Sequence, residues 1–173
     1  MFKGLLLLMI TFASGCAPSK PQTLKADVYS TSESAQSLGT ISFTDTKNGL
    51  LVEVDLEDLP AGEHGFHIHE NPDCGTKADA TGQMQPALAA GGHYDPAHTG
   101  KHLGPHGAGH KGDLPALMVN SNGIVKTAFY LDNLTTDEIK NRSVIIHAGG
   151  DNYQDTPLPL GGGGARIACG IIE

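Results

Sequence analysis

The chain is 173 residues long, enough for one domain, with 39% hydrophobic and 5% aromatic residues to build a single modest core. A formal net charge of -8 argues against a nucleic-acid binder, which would need a basic face to engage phosphates. The 23 glycines point to many turns and long loops, and the 9 histidines are the most informative excess.

The first element is a leader. Lys3, the apolar run over residues 5–10 and the small residues before Cys16 form the three regions of a secretory signal. The run is too short to span a bilayer, which takes about 20 residues. Ala13-Ser14-Gly15-Cys16 resembles the lipobox of bacterial lipoproteins. The expectation is therefore a signal over 1–15, a lipidated Cys16 opening a tether over 16–23, and one domain over 24–173. By the same resemblance, Ala17 in place of Asp points to the outer membrane, with the domain in the periplasm. Acylation of Cys16 leaves Cys74 and Cys169 as one pair, which an oxidising compartment would keep as a disulfide.

Eight short segments alternate or are β-branched: 24–30, 38–43, 50–56, 66–69, 117–120, 124–131, 143–148 and 166–172. In the third, Leu50, Val52, Val54 and Leu56 face one side, with Glu53 and Asp55 on the other. Asn48-Gly49 and Asn122-Gly123 suit hairpin turns. This is the pattern of an all-β antiparallel sandwich or barrel. One short helix is expected over 135–140, where Thr135 and Glu138 have capping-box spacing. Residues 70–115 and 149–165 fit no strand, and loops of that length in a compact domain are functional or disordered. The first holds Cys74 and five histidines, so a disulfide and a metal would tie it down; the second holds four consecutive glycines, 161–164.

His64, His67, His69, His93, His98, His102, His106 and His110 cluster in sequence, and His147 stands alone downstream. Neutral imidazole is the commonest metal ligand. Alternation in Gly65-Phe66-His67-Ile68-His69 puts both histidines on one face, within chelating distance of one ion. His147, at the end of another strand, could close that site. His93, His102, His110 and Asp113 form a second group suited to tetrahedral zinc or another divalent metal.

These residues resemble the bacterial copper, zinc superoxide dismutases. The matching blocks are Gly65-Phe66-His67-Ile68-His69, Gly91-Gly92-His93-Tyr94-Asp95-Pro96, His102-Leu103-Gly104-Pro105 and Gly109-His110-Lys111-Gly112-Asp113-Leu114-Pro115. They continue in order through His147-Ala148-Gly149-Gly150-Asp151-Asn152 and 160–164 to Arg166-Ile167-Ala168-Cys169-Gly170. The resemblance implies an eight-stranded Greek-key barrel or sandwich with two long functional loops. It implies copper on His67, His69, His93 and His147, zinc on His93, His102, His110 and Asp113, and His93 bridging both. Asp151 matches a carboxylate that accepts hydrogen bonds from a copper-side and a zinc-side histidine, here expected to be His69 and His102. Arg166 matches the cation that attracts and positions superoxide, and Cys74 and Cys169 match the family's disulfide.

His106 lies four residues from both His102 and His110 and could stand in for either; the family's sequence contexts favour those two. His64 and His98 are expected in solvent. Lys77, Lys101 and Lys111 are candidates for a wider positive funnel. The implied reaction converts two superoxide anions and two protons to hydrogen peroxide and oxygen by Cu(II)/Cu(I) cycling. A metal carrier of the same fold without turnover, and a zinc-dependent hydrolase, stand as alternatives. Family members include monomers and homodimers.

Overall fold

Alternating apolar and polar residues make the main sheet. In β1 (Thr23–Ser30), Leu24, Ala26 and Val28 are buried between exposed neighbours. β2 (Ser37–Thr46) and β3 (Gly49–Leu56) extend the pattern, with Leu50, Val52, Val54 and Leu56 inside and Glu53 and Asp55 outside. The structure is a computed structural model that describes residues 22–173. The expected signal over 1–15, the lipidated Cys16 and Ala17 lie outside the described residues.

The other strands are β4 (Gly62–His64), β5 (Phe66–His69), β6 (Lys77–Ala78), β7 (Met84–Gln85), β8 (Leu117–Val119), β9 (Val125–Leu131), β10 (Ser143–His147) and β11 (Arg166–Ile171). Seven form one antiparallel sheet in the order β5-β10-β11-β1-β2-β3-β9. From β3 the chain crosses to the far edge, where β4 and β5 are two halves of one run bent at Gly65. β4 pairs with β8, and β8 leads through a turn into β9 at the opposite edge. The sheet is thereby curled into a half-barrel around one core, with Phe43, Phe66, Ile68, Leu117 and Ile146 among its buried side chains. Each such side chain contributes about 1.5–3 kcal/mol through burial.

All eight expected strands are present. The short β4, β6 and β7 are additions: β4 has only three residues, and β6 and β7 form a hairpin inside the 70–115 stretch. In the β2–β3 and β8–β9 turns the positive φ falls on Gly49 and Gly123 and not on the asparagines before them. Helix α1 (Thr136–Ile139) starts where expected, with the main-chain N–H of Thr135 donating to the Glu138 carboxylate. Cys74 and Cys169 form a disulfide that packs on Ala87, Ala90 and Ile145 and ties the long loop to β11.

Candidate metal centre

Strand register assembles the first histidine group. On β5, Ile68 and Phe66 point into the core and His67 and His69 to the other face, which loops cover so that all four residues are buried. β10 pairs alongside with His67 opposite Ile145, and its last residue, His147, lies opposite Arg166 of β11. Two isolated bridges, His69 with His93 and His67 with Asp113, stitch the long loop onto β5. His67, His69, His93 and His147 thus bring ligand atoms within 4.8 Å of one another.

Hydrogen bonding fixes which nitrogen of each ring is free. The Nε2 proton of His67 goes to Asp151 Oδ2 at 2.7 Å, and the Nδ1 protons of His69 and His147 go to the Gly91 and Gly164 carbonyls at 3.0 and 3.2 Å. His93 Nδ1 lies 2.9 Å from Asp113 Oδ1. What remains is Nδ1 of His67 and Nε2 of His69, His93 and His147, all buried and without a hydrogen-bond partner among the described residues. An acceptor bonded to one nitrogen fixes the tautomer and leaves a lone pair on the other, the preparation a metal ligand requires.

A second group gathers on Asp113. Its Oδ1 lies 2.9 Å from His93 Nδ1 and 3.4 Å from His110 Nδ1, and its Oδ2 lies 2.9 Å from His102 Nδ1. His67 also comes within 4.8 Å of His93, His102 and Asp113, but its Nε2 is already taken by Asp151. Three imidazoles and a carboxylate without thiolates suit zinc.

Protonation follows from burial and charge. Burial pushes His93 down to about 4, against the pull of Asp113, and His147 down to about 3, with His67 adding to the effect. Burial also holds His69 well below the ordinary histidine range and lowers His67 despite Asp151. His102 goes the other way: burial acts to lower it, but carboxylates on both sides raise it to about 9. Asp113 and Asp151 are themselves held well below the usual carboxylate range, because hydrogen bonds from His102 and its neighbours outweigh burial. The first group is therefore neutral and electron-donating, and the second favours a cation.

A cleft of about 520 Å³ opens onto His69, His93 and His147, walled by Leu88 on one side and Leu160 on the other. Arg166 stands at its wall, its guanidinium donating to the Ala87 and Gly91 carbonyls at 2.6 and 2.7 Å. Gly91 O thus receives both Arg166 and His69, which fixes the cation relative to the histidines. A larger cleft of about 620 Å³ lies over the disulfide and has no histidine in its wall.

The description "Copper/zinc superoxide dismutase" belongs to the family model that matches residues 37–172. The chain belongs to the copper/zinc superoxide dismutase family. A Superoxide dismutase (Cu-Zn) of Brucella abortus is 53% identical over 137 residues, 79% of each chain. One of Escherichia coli K12 is 45% identical over 171 residues, 98% of each. The solved Cu/Zn superoxide dismutase from Brucella abortus superposes with a TM-score of 0.84 at 47% identity, covering 88% of this chain and 100% of its own.

Within this copper/zinc superoxide dismutase fold, several expectations need correction. Asp151 joins His102 to His67, not to His69, whose Nδ1 is engaged by Gly91 O. His64 is 2% exposed: its Nδ1 lies 2.7 Å from the His147 carbonyl and its Nε2 2.8 Å from that of Pro60. Of the three lysines expected in a wider funnel, Lys111 is paired with Glu138, while Lys77 and Lys101 are exposed outside the cleft wall, where Arg166 is the one Lys or Arg among the described residues. His98 and His106 are exposed and join neither group. Sequence reasoning missed Asp155, which accepts the His102 main-chain N–H at 3.0 Å from a loop without periodicity to mark it.

Proposed function

We propose that this chain dismutates superoxide, with copper on His67, His69, His93 and His147 and zinc on His93, His102, His110 and Asp113. One observation carries the reading: four imidazoles with ligand atoms within 4.8 Å of one another, each with one buried nitrogen that no group among the described residues satisfies, beside a cleft lined by Arg166. His110 is preferred to His67 for zinc because its Nδ1 faces Asp113, while His67, with Nε2 bonded to Asp151, has only Nδ1 left to offer and that nitrogen serves the copper group.

Bound copper supplies one-electron cycling between Cu(II) and Cu(I), so that two superoxide anions and two protons give oxygen and hydrogen peroxide, while redox-inert zinc supplies structure. Arg166 draws the anion down the cleft and orients it beside His147 and His93, working against a net charge of -8 that opposes encounter. His93 belongs to both groups. Its Nε2 can hold a proton at the cleft whenever it is not coordinated and deliver it to the reduced product. The arginine held at the cleft favours turnover over metal carriage alone. Superoxide decay is the test: the chain loaded with both metals should accelerate it strongly and the zinc-only form should not. Decay no faster than in buffer with both metals bound would contradict the reading.

The remaining proposals concern placement. The leader over 1–15 directs export, Cys16 carries lipid, and Ala17 favours the outer membrane of a bacterial envelope, with the domain in the periplasm; the Cys74–Cys169 disulfide supports an oxidising compartment. Every ligand of both metals comes from one chain, so turnover needs no second subunit whether the protein is a monomer or a homodimer.

A further inference from the structure

We infer that Glu63 is a positioning residue for the metal centre: its carboxylate holds the main chain of Asp151 where that side chain spans His67 and His102. The inference rests on the metal-centre reading above.

Asp151 must be placed to within a fraction of an ångström, because its two carboxylate oxygens each meet an imidazole at 2.7 Å. The segment that carries it follows Gly149 and Gly150, where the chain has left β10 and has no ladder to hold it. It is held on one side by the 161–165 loop, where Ala148 N and Gly149 N donate to Ala165 O and Gly163 O, each at 2.8 Å, and on the other by the β4–β5 junction. Gly65 N donates to Gly149 O at 2.8 Å, and His147 N donates to Gly65 O at 2.9 Å. Those bonds are main chain to main chain and stop at Gly149; main-chain holds resume only at Asn152, whose N–H donates to Gly161 O at 3.1 Å. The next hold is made by a side chain, as the Asp151 main-chain N–H donates to Glu63 Oε1 at 3.1 Å.

A second observation shows that the approach is built in. A Cβ on residue 150 would sit 2.8 Å from Glu63 Oε1, so the carboxylate lies directly against the glycine that precedes Asp151 and would have to move aside for any larger residue there. Glu63 itself is rooted in β4, opposite Met118 of β8, and its carboxylate forms no ion pair among the described residues. Its hydrogen bond to Asp151 is the contact that accounts for its orientation. The consequence is a line of contacts from a surface strand through Asp151 to both histidine groups.

The test compares wild type with Glu63→Ala, Glu63→Gln and Glu63→Asp, using Glu53→Ala on the exposed face of β3 as the control. Zinc release from the fully metal-loaded protein to a chromogenic chelator is the main readout, with the melting temperature of the metal-free protein beside it. Loss of a partner behind a metal ligand costs about 10–100-fold in metal affinity, and Glu63 acts one step further out, so Glu63→Ala should release zinc about tenfold faster. Glu63→Gln, which keeps an acceptor oxygen at the same reach, should match wild type, whereas Glu63→Asp, which keeps the charge and shortens the reach, should behave like alanine. Metal-free melting should track the Glu53→Ala control. Wild-type zinc release in Glu63→Ala, or glutamine as fast as alanine, would overturn the role of Glu63. Wild-type protein that retains no zinc would instead overturn the metal-centre reading, and this inference with it.

Discussion

His67 and His102 share one carboxylate: Asp151 Oδ2 lies 2.7 Å from Nε2 of the first and Oδ1 lies 2.7 Å from Nε2 of the second. Gly161 leaves room for the second bond, since a Cβ there would sit 1.9 Å from Asp151 Oδ1. Asp151→Asn keeps one acceptor oxygen and turns the other into a donor, so only one imidazole can retain its bond. Zinc affinity should fall about 10–100-fold, measured by chelator competition; unchanged affinity would show that the shared carboxylate does not orient the ligands.

The stability of the metal-free protein should peak near pH 6.5. His93 and His147 sit at about 4 and 3 when folded against an ordinary value of 6.5. Below pH 6.5 the unfolded chain therefore binds more protons at these sites, and stability is lost as pH falls. His102, raised to about 9, has the opposite sign: its contribution is complete below 6.5 and disappears as pH rises through 9. Melting temperature followed by circular dichroism should fall on both sides of the maximum. The alkaline fall should vanish in His102→Ala and when zinc replaces the proton; a steady rise to pH 9 in the metal-free wild type would contradict the assignment.

Arg166 should govern how superoxide arrives. Arg166→Ala should lower kcat/KM at least about tenfold and weaken its decline with added salt, since among the described residues no other Lys or Arg lines the cleft. Arg166→Lys should fall between, keeping the charge but losing the two-carbonyl anchor on Ala87 and Gly91. Pulse generation of superoxide over a range of ionic strength checks both.

Reduction of the Cys74–Cys169 bond should destabilise the fold. The bond closes a loop with a sequence separation of 95, for which loop entropy gives about 4–5 kcal/mol. Denaturant unfolding with and without a thiol reductant measures it. Because the bond also pins the segment that anchors Arg166, activity should fall before global unfolding.

The strands were legible because alternation in a half-buried sheet writes itself into residue type, as Leu50 to Leu56 shows. The histidines of both groups were legible by number and context. Three-dimensional choices were not. Both His67 and His69 face the same side of β5, and nothing in their spacing tells which meets Asp151; the Gly91 carbonyl, brought in by the long loop, decides it. His64 reads as a surface histidine but is buried, its ring nitrogens on the carbonyls of His147 at the end of β10 and of Pro60, and Lys111 reads as free but finds Glu138 on α1. Glu63 and Asp155 act through main-chain N–H groups, which carry no sequence signature.

The most direct test of the two-metal assignment is a crystal structure of the copper- and zinc-loaded protein with anomalous maps at both absorption edges. The account predicts a copper peak among His67, His69, His93 and His147 and a zinc peak among His93, His102, His110 and Asp113, with His93 touching both. A single peak, or zinc bound by His67 with His110 turned away, would contradict it.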